Sequence, residues 1–375
     1  MPLHLQCFLM MLAICMGSPM VRADEQPPSF DHVILISVDG LRPECLQPEM
    51  ASAYPALARL ARGPHTLQAR CDPDISITLP NHCDMITGRL AAGTSGHGWL
   101  KNEDPPARKH GGTLHANKVD YVSSIFDVAH DRGARTALIC GKWKFVLFEQ
   151  SYGQDAGGPD KVAPDNSRDK IDLFVCDSEA LSQSDSVLAT IRHAAATNQK
   201  SLTLWHIPTP DFQGHATGWD VSEGSPYRQS VATVDHGIEN ILTQVDADAH
   251  VRGRVAIVLT ADHGGGVPAI SHVDAEAPIN FTIPFLVWLA KDSQACDLYG
   301  MNPECRSLPA ASQRFVPDAR PPIRNADAAN VALGLIGLPP IPGSTANAQQ
   351  ELRVSPTPHH PIQAQAADKG APHDS

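Results

Sequence analysis

Three short stretches set carboxylates and imidazoles where a strand-like run ends, a fourth adds an imidazole just before the next strand, and a fifth sets a hydroxyl at a helix start. "ISVDG" ends on Asp39, "TPDFQGH" carries Asp211 and His215 four apart, "LTADHGGG" carries Asp262 and His263, and "ISHVD" carries His272. Asp and His are the oxygen and nitrogen donors that zinc accepts, and six such groups suffice for two ions sharing an open site. In "ISITLPNHCDMITG", Pro80 suits the first turn of a helix that Gly88 would stop. Thr78 then stands at a helix N-terminus, where amide donors and the dipole favour an anion. A metal-bound hydroxyl there could ionise and attack phosphorus.

None of these signals suffices alone. An Asp after a strand is commonly a turn residue or a cap. The chain supplies its own control in "VDHGIENILTQVD", where Asp235 and His236 repeat the Asp-His pair inside a helical pattern. There Val234, Ile238, Ile241, Leu242 and Val245 recur every three or four residues, which predicts a solvated helix face for the pair. It is the joint occurrence of the polar groups at several strand ends that points to a site.

The elements that must position them are strand-like runs at 32–40, 134–141, 171–177, 201–208, 255–262 and 281–290. Helical patterns at 51–62, 80–87, 121–131, 185–196 and 226–246 lie between them. This alternation predicts an α/β domain with a mainly parallel central sheet and helices on both faces. In such sheets ligands bind beyond the carboxyl ends of the strands. At 375 residues, 42% of them hydrophobic, the chain is ample for one large domain.

Residues 1–23 read as a signal peptide cut after Val21-Arg22-Ala23, which predicts a periplasmic or secreted protein. The catalytic domain is expected over 24–342, with a disordered tail rich in Pro, Ala, Gln and His over 343–375. No other stretch reads as a membrane span. Cleavage would leave 28 basic and 41 acidic residues, a net charge of −13 that argues against a nucleic-acid polymer as partner. Seven cysteines would remain, an odd number. Cys296 and Cys305, which flank a short loop, are the first expected disulfide.

The ordered set of motifs resembles the alkaline phosphatase superfamily, and within it the type I phosphodiesterase/nucleotide pyrophosphatase branch. "TLPNHCDMITG" is similar to that branch's nucleophile segment. "SVDGLRP", "PDFQGH", "ADHG" and "SH" before an aromatic strand follow in the family's order, over roughly residues 31–340. The resemblance implies two Zn²⁺ ions, one held by Asp211, His215 and His272. The other would be held by Asp39, Asp262 and His263, with Thr78 as nucleophile and ligand. "GHGWLKN" implies that Asn102 hydrogen-bonds a phosphoryl oxygen, and that a phosphothreonine forms and is then hydrolysed. His82 is expected to hold the helix start rather than a metal. The substrate would be a small phosphate ester or nucleotide-like molecule.

Lys142 and Lys144, two apart in "LICGKWKF", depart from the diesterase pattern. On one strand face they would resemble the Lys-x-Lys or Lys-x-Arg of phosphonoacetate hydrolase and of threonine-type phosphomonoesterases, and would contact extra negative charge on a substrate. A phosphomonoesterase or phosphonate hydrolase is therefore the alternative reading. A sulfatase would need Cys-x-Pro-x-Arg, but "CDPDI" has Ile75 in place of the Arg. A non-catalytic binding protein on the same scaffold fits less well, because no expected ligand is missing. The leaving group and oligomeric state are not encoded in these motifs.

Overall fold

In the computed structural model, residues 29–355 are described, apart from 119, 165, 292–293 and 316–319. The expected signal peptide lies outside the described residues. One sheet of eight strands organises the domain. The strands are β1 (His32–Val38), β2 (Pro64–Arg70), β3 (Arg135–Cys140), β4 (Leu173–Cys176), β5 (Ser201–Ile207), β6 (Val255–Thr260), β7 (Thr282–Leu289) and β8 (Cys296–Asp297). Their spatial order is β4-β3-β5-β1-β6-β7-β2-β8. The run from β4 to β6 is parallel, while β7 is antiparallel to both β6 and β2.

All seven residues of β1 are buried. Side chains alternate between the two faces of a strand, so both faces of the sheet must be covered. Helices α1 (Pro55–Leu60), α5 (Ala180–Ala196), α6 (Thr209–Thr217) and α7 (Pro226–Ala247) pack on one another in one group. Helices α2 (Thr78–Thr87) and α3 (Ile125–His130) pack with the helix Asp327–Leu335 in another. The remaining longer helix, α4 (Val146–Tyr152), follows β3.

The six expected strands are β1 and β3 to β7, each ending within three residues of its expected bounds. β2 was not expected. Its sequence, "PHTLQAR", opens with Pro and carries His65 and Gln68, so neither a continuous apolar run nor a clean alternation marks it.

Two further expectations need correction. Residues 343–355 are part of the folded domain: Thr345 and Ala346 donate backbone hydrogen bonds to the Gly88 carbonyl, and Leu352 and Val354 are buried. Their apolar side chains are spaced among Pro, Gln and Asn, which concealed them. Residues 356–375 lie outside the described residues. Cys296 and Cys305 are both free thiols. Cys296 pairs with β2 through β8, while Cys305 Sγ lies 3.9 Å from the carbonyls of Asn302 and Glu351, because the intervening residues fold as a helical turn, Leu298–Met301.

Candidate metal and phosphoryl site

The carboxyl ends of four adjacent parallel strands, β3, β5, β1 and β6, supply most of the site. Lys142 follows β3, Asp211 and His215 ride on α6 just past β5, Asp39 follows β1, and Asp262 and His263 follow β6. His272 comes from the loop between β6 and β7. Strand order thus converts a separation of more than 200 residues into one pocket.

The imidazoles are oriented alike. His263 Nδ1 bonds the Gly264 carbonyl at 2.7 Å, His272 Nδ1 the Ser76 carbonyl at 2.5 Å, and His215 Nδ1 the Ile270 carbonyl at 2.9 Å. A carbonyl only accepts, so each Nδ1 carries the proton and each Nε2 presents its lone pair. Those Nε2 atoms point at carboxylates. His215 and His272 approach Asp211 Oδ1 at 3.4 and 3.5 Å, and His263 approaches Asp262 Oδ2 at 3.2 Å and Asp39 Oδ1 at 3.4 Å.

Asp39 Oδ1, Asp211 Oδ1, Asp262 Oδ2 and His263 Nε2 are all buried and lack a hydrogen-bond partner. Leaving such atoms unpaired costs on the order of 1–3 kcal/mol each, more when charged. Four converging orphans fit a divalent cation, which would accept them all. Two groups are compact enough to hold one ion: Asp39, Asp262 and His263, and Asp211, His263 and His272. The geometry therefore sets His263 against both groups. His215 is nearly half exposed, at the outer edge of the second.

Electrostatics agree with an excess of negative charge. Burial alone would raise Asp39, but the Lys142 ammonium and the His206 hydrogen bond carry its carboxyl well below the usual range. Burial and the neighbouring Asp39 charge push Asp262 well above it. Burial lowers His263 and takes His272 down to about 2, so both imidazoles are neutral, as ligands must be.

Lys142 and Lys144 are not side by side on a strand face. β3 stops at Cys140, and Gly141 leads into a short helical turn at Trp143–Phe145; both side chains line one cleft, but their ammonium groups take different partners. Lys142 Nζ bridges Asp39 Oδ2 and Asp211 Oδ2, each at 2.6 Å. Lys144 Nζ bonds Asn102 Oδ1 at 3.2 Å.

Thr78 opens α2, and Gly88 closes it in the left-handed region at φ 62°, as the sequence predicts. Asn102 Oδ1 accepts from the Leu79 amide at 2.9 Å. With Oδ1 occupied by two donors, the amide's remaining capacity is the Nδ2 donor pair. Thr78, Asn102, Lys144 and His215 line one open cleft of about 410 Å³ whose apolar lining includes Trp143 and Phe212. His82 lies beneath it, with Nδ1 on the Thr78 carbonyl and Nε2 on Ser37 Oγ, both at 2.8 Å, and so holds the helix start.

Two supporting residues escaped sequence reading. His206 accepts the Gly141 amide at Nδ1 (3.2 Å), so its Nε2 proton goes to Asp39 Oδ2 at 2.9 Å and fixes that carboxylate. A lone imidazole inside the apolar strand "SLTLWHI" was the available signal. Trp219 is the other. Its Nε1 donates to the Gly40 carbonyl at 3.1 Å, and its ring lies so close to Gly214 and Gly265 that a Cβ on either would fall 2.2 Å from it. The glycines after Asp39, before His215 and after His263 thus meet one indole.

A second group of potential ligands, His130, Asp131 and Asp160, lies elsewhere. There the buried Lys170 ammonium pairs with both carboxylates, which makes the group an internal ion pair.

A family model described as type I phosphodiesterase/nucleotide pyrophosphatase matches residues 33–275. No curated protein matches the chain. Among solved structures, the lipoteichoic acid synthase LtaP from Listeria monocytogenes aligns with a TM-score of 0.53 at 11% identity, covering 82% of this chain and 72% of that one. A Vibrio parahaemolyticus protein of the alkaline phosphatase superfamily aligns at 0.50 and 14%, covering 83% and 67%. The PsFucS1 sulfatase from a Pseudoalteromonas species aligns at 0.50 and 13%, covering 82% and 68%. At these identities the likeness shows a shared fold.

Proposed function

The chain belongs to the type I phosphodiesterase/nucleotide pyrophosphatase family, and on that premise we propose that it is a zinc-dependent hydrolase of small phosphodiesters or pyrophosphates acting through a phosphothreonine at Thr78. The observation that carries this reading is the convergence of four buried, unpartnered ligand atoms beside the N-terminus of α2. Asp211, His215 and His272 would hold one zinc and Asp39, Asp262 and His263 the other, with His263 within reach of both. Bound there, zinc would favour the ionised Thr78 hydroxyl and offset charge on the transferring phosphoryl group.

The chain's own groups supply the rest. Thr78 Oγ attacks phosphorus, the bond to the leaving oxygen breaks, and water then cleaves the Thr78 ester to regenerate the hydroxyl. Asn102 Nδ2 donates to phosphoryl oxygens, which accumulate charge as the bond breaks. Lys144, at the cleft and bonded to Asn102, adds a positive charge there. Exposed Trp143 and Phe212 give an organic leaving group an apolar wall. We place the protein in the periplasm or outside the cell, acting on a small nucleotide-like ester. Among the described residues, no helix is long and apolar enough to cross a membrane.

The alternative, a monoesterase or phosphonate hydrolase, draws on Lys142 and Lys144, which both line the cleft, but the Lys142 charge is already offset by two carboxylates. That favours diesters, which bring one negative charge fewer. The test compares kcat/KM of the zinc-loaded protein on matched aryl phosphate mono- and diesters, with Thr78→Ala as control. Diester preference, with the variant inactive but still zinc-bound, is the expected result. Monoester preference would move the function to the alternative, and an active Thr78→Ala would remove the covalent mechanism.

A further inference from the structure

β3 and β4 end together on a pair of cysteines. Cys140 and Cys176 are register partners at the last rung of the parallel ladder. Partners on adjacent strands have Cα atoms about 5 Å apart and Cβ atoms on the same face. That lies within the ~4.4–6.8 Å window that a disulfide spans. The Asp177 amide bonds the Cys140 carbonyl at 2.8 Å, which closes the ladder just beyond the pair. The Cys140 Sγ lies 3.7 Å from the Lys142 carbonyl, at the end of the strand that faces β4. Cys140 is buried and Cys176 exposed, so one sulfur is open to a reagent and the other is reachable only through it.

We propose that Cys140 and Cys176 are a dithiol pair that closes reversibly to a disulfide by exchange with a small-molecule or protein disulfide. Cys176 attacks first: its thiolate bonds one sulfur of the reagent and expels the other half as a thiolate. Cys140 then loses its proton and attacks Cys176 Sγ, forming the intramolecular S–S bond and releasing the second half. Two protein thiols are oxidised and one external disulfide is reduced to two thiols. The order follows from access, and from acidity as well. The neighbouring Cys140 thiol lowers Cys176 to about 7, although burial opposes it, whereas the Cys176 thiol and burial raise Cys140.

The linkage would fasten the edge strand β4 to the strand end that carries Gly141, Lys142 and Lys144. Gly141 bonds His206, which in turn bonds Asp39, so the pair lies two hydrogen bonds from the site without touching it.

The full-length protein is treated with oxidised glutathione, denatured with a blocking alkylator, and mapped by mass spectrometry. The expected result is a Cys140–Cys176 linked peptide, the loss of two alkylatable thiols, and their full return with a reductant. Cys140→Ala should instead hold glutathione on Cys176 as a stable mixed disulfide. Recovery of both cysteines alkylated after oxidation would overturn the proposal. So would glutathione retained on Cys176 of the unmutated protein, because it would mean that Cys140 cannot reach it.

Discussion

The dipeptide Asp-His occurs twice before glycine, at Asp235-His236-Gly237 and Asp262-His263-Gly264, and the two copies have opposite fates. In α7 the pair divides across the helix surface. Asp235 turns inward and its Oδ1 accepts the Leu57 amide of α1 at 2.8 Å, while His236 is exposed. The expectation of a solvated pair holds for the imidazole and fails for the carboxylate. Leu57 is in the first turn of α1, where amides lack intrahelical partners, and the neighbouring helix supplies one. Beyond β6 both residues are buried, and each keeps an atom with no partner. A helix finds local uses for such groups, whereas a strand end in a parallel sheet delivers them to a shared pocket.

Substitutions sharpen this contrast. His263→Ala should remove bound zinc and lower kcat/KM by about 10³-fold, since a metal centre contributes several kcal/mol to charge stabilisation. Metal analysis beside kinetics checks it, and a variant with full zinc and activity would break the contrast at its strong end. Asp235→Ala should leave turnover within about twofold but cost ~2 kcal/mol of stability, the worth of a charge-assisted cap. Denaturant melts at constant slope would register that loss. Loss of activity without loss of stability would instead give Asp235 a functional role. His236→Ala should change neither, within about 0.5 kcal/mol, as for other exposed side chains free of special contacts. A larger effect in either assay would show that the exposed imidazole has work of its own.

Much of the site was legible because strand ends are legible. Asp39 and Asp262 follow largely apolar strands and Asp211 lies in the first turn of the helix after another, and parallel topology makes those strand ends neighbours. The helix start at Thr78 was equally open, since Pro80 and Gly88 bracket it. What stayed hidden depends on distance rather than spacing. Nothing in the sequence says that His263 stands within reach of both candidate groups, or that Lys142 pairs with Asp39 and Asp211 while Lys144 bonds Asn102. β2 was missed because its pairing with β7 supplies the burial that its own residues do not advertise. The Cys296–Cys305 expectation failed for a related reason: closeness along the chain was overridden by a helical turn. The register-paired cysteines lie 36 positions apart, visible only once β3 and β4 are adjacent.

The indole of Trp219 has a consequence for how this chain can change over time. It fills the space that side chains at Gly214 and Gly265 would need, and it bonds the carbonyl of Gly40. Enlarging either glycine requires shrinking the indole, yet shrinking the indole first withdraws support from all three segments of the candidate site at once. Each single step is a loss even where the combined change would fit. Three stretches separated by some 225 positions are therefore bound into one mutational unit, and drift in any of them is blocked by a residue that lies outside the cleft lining.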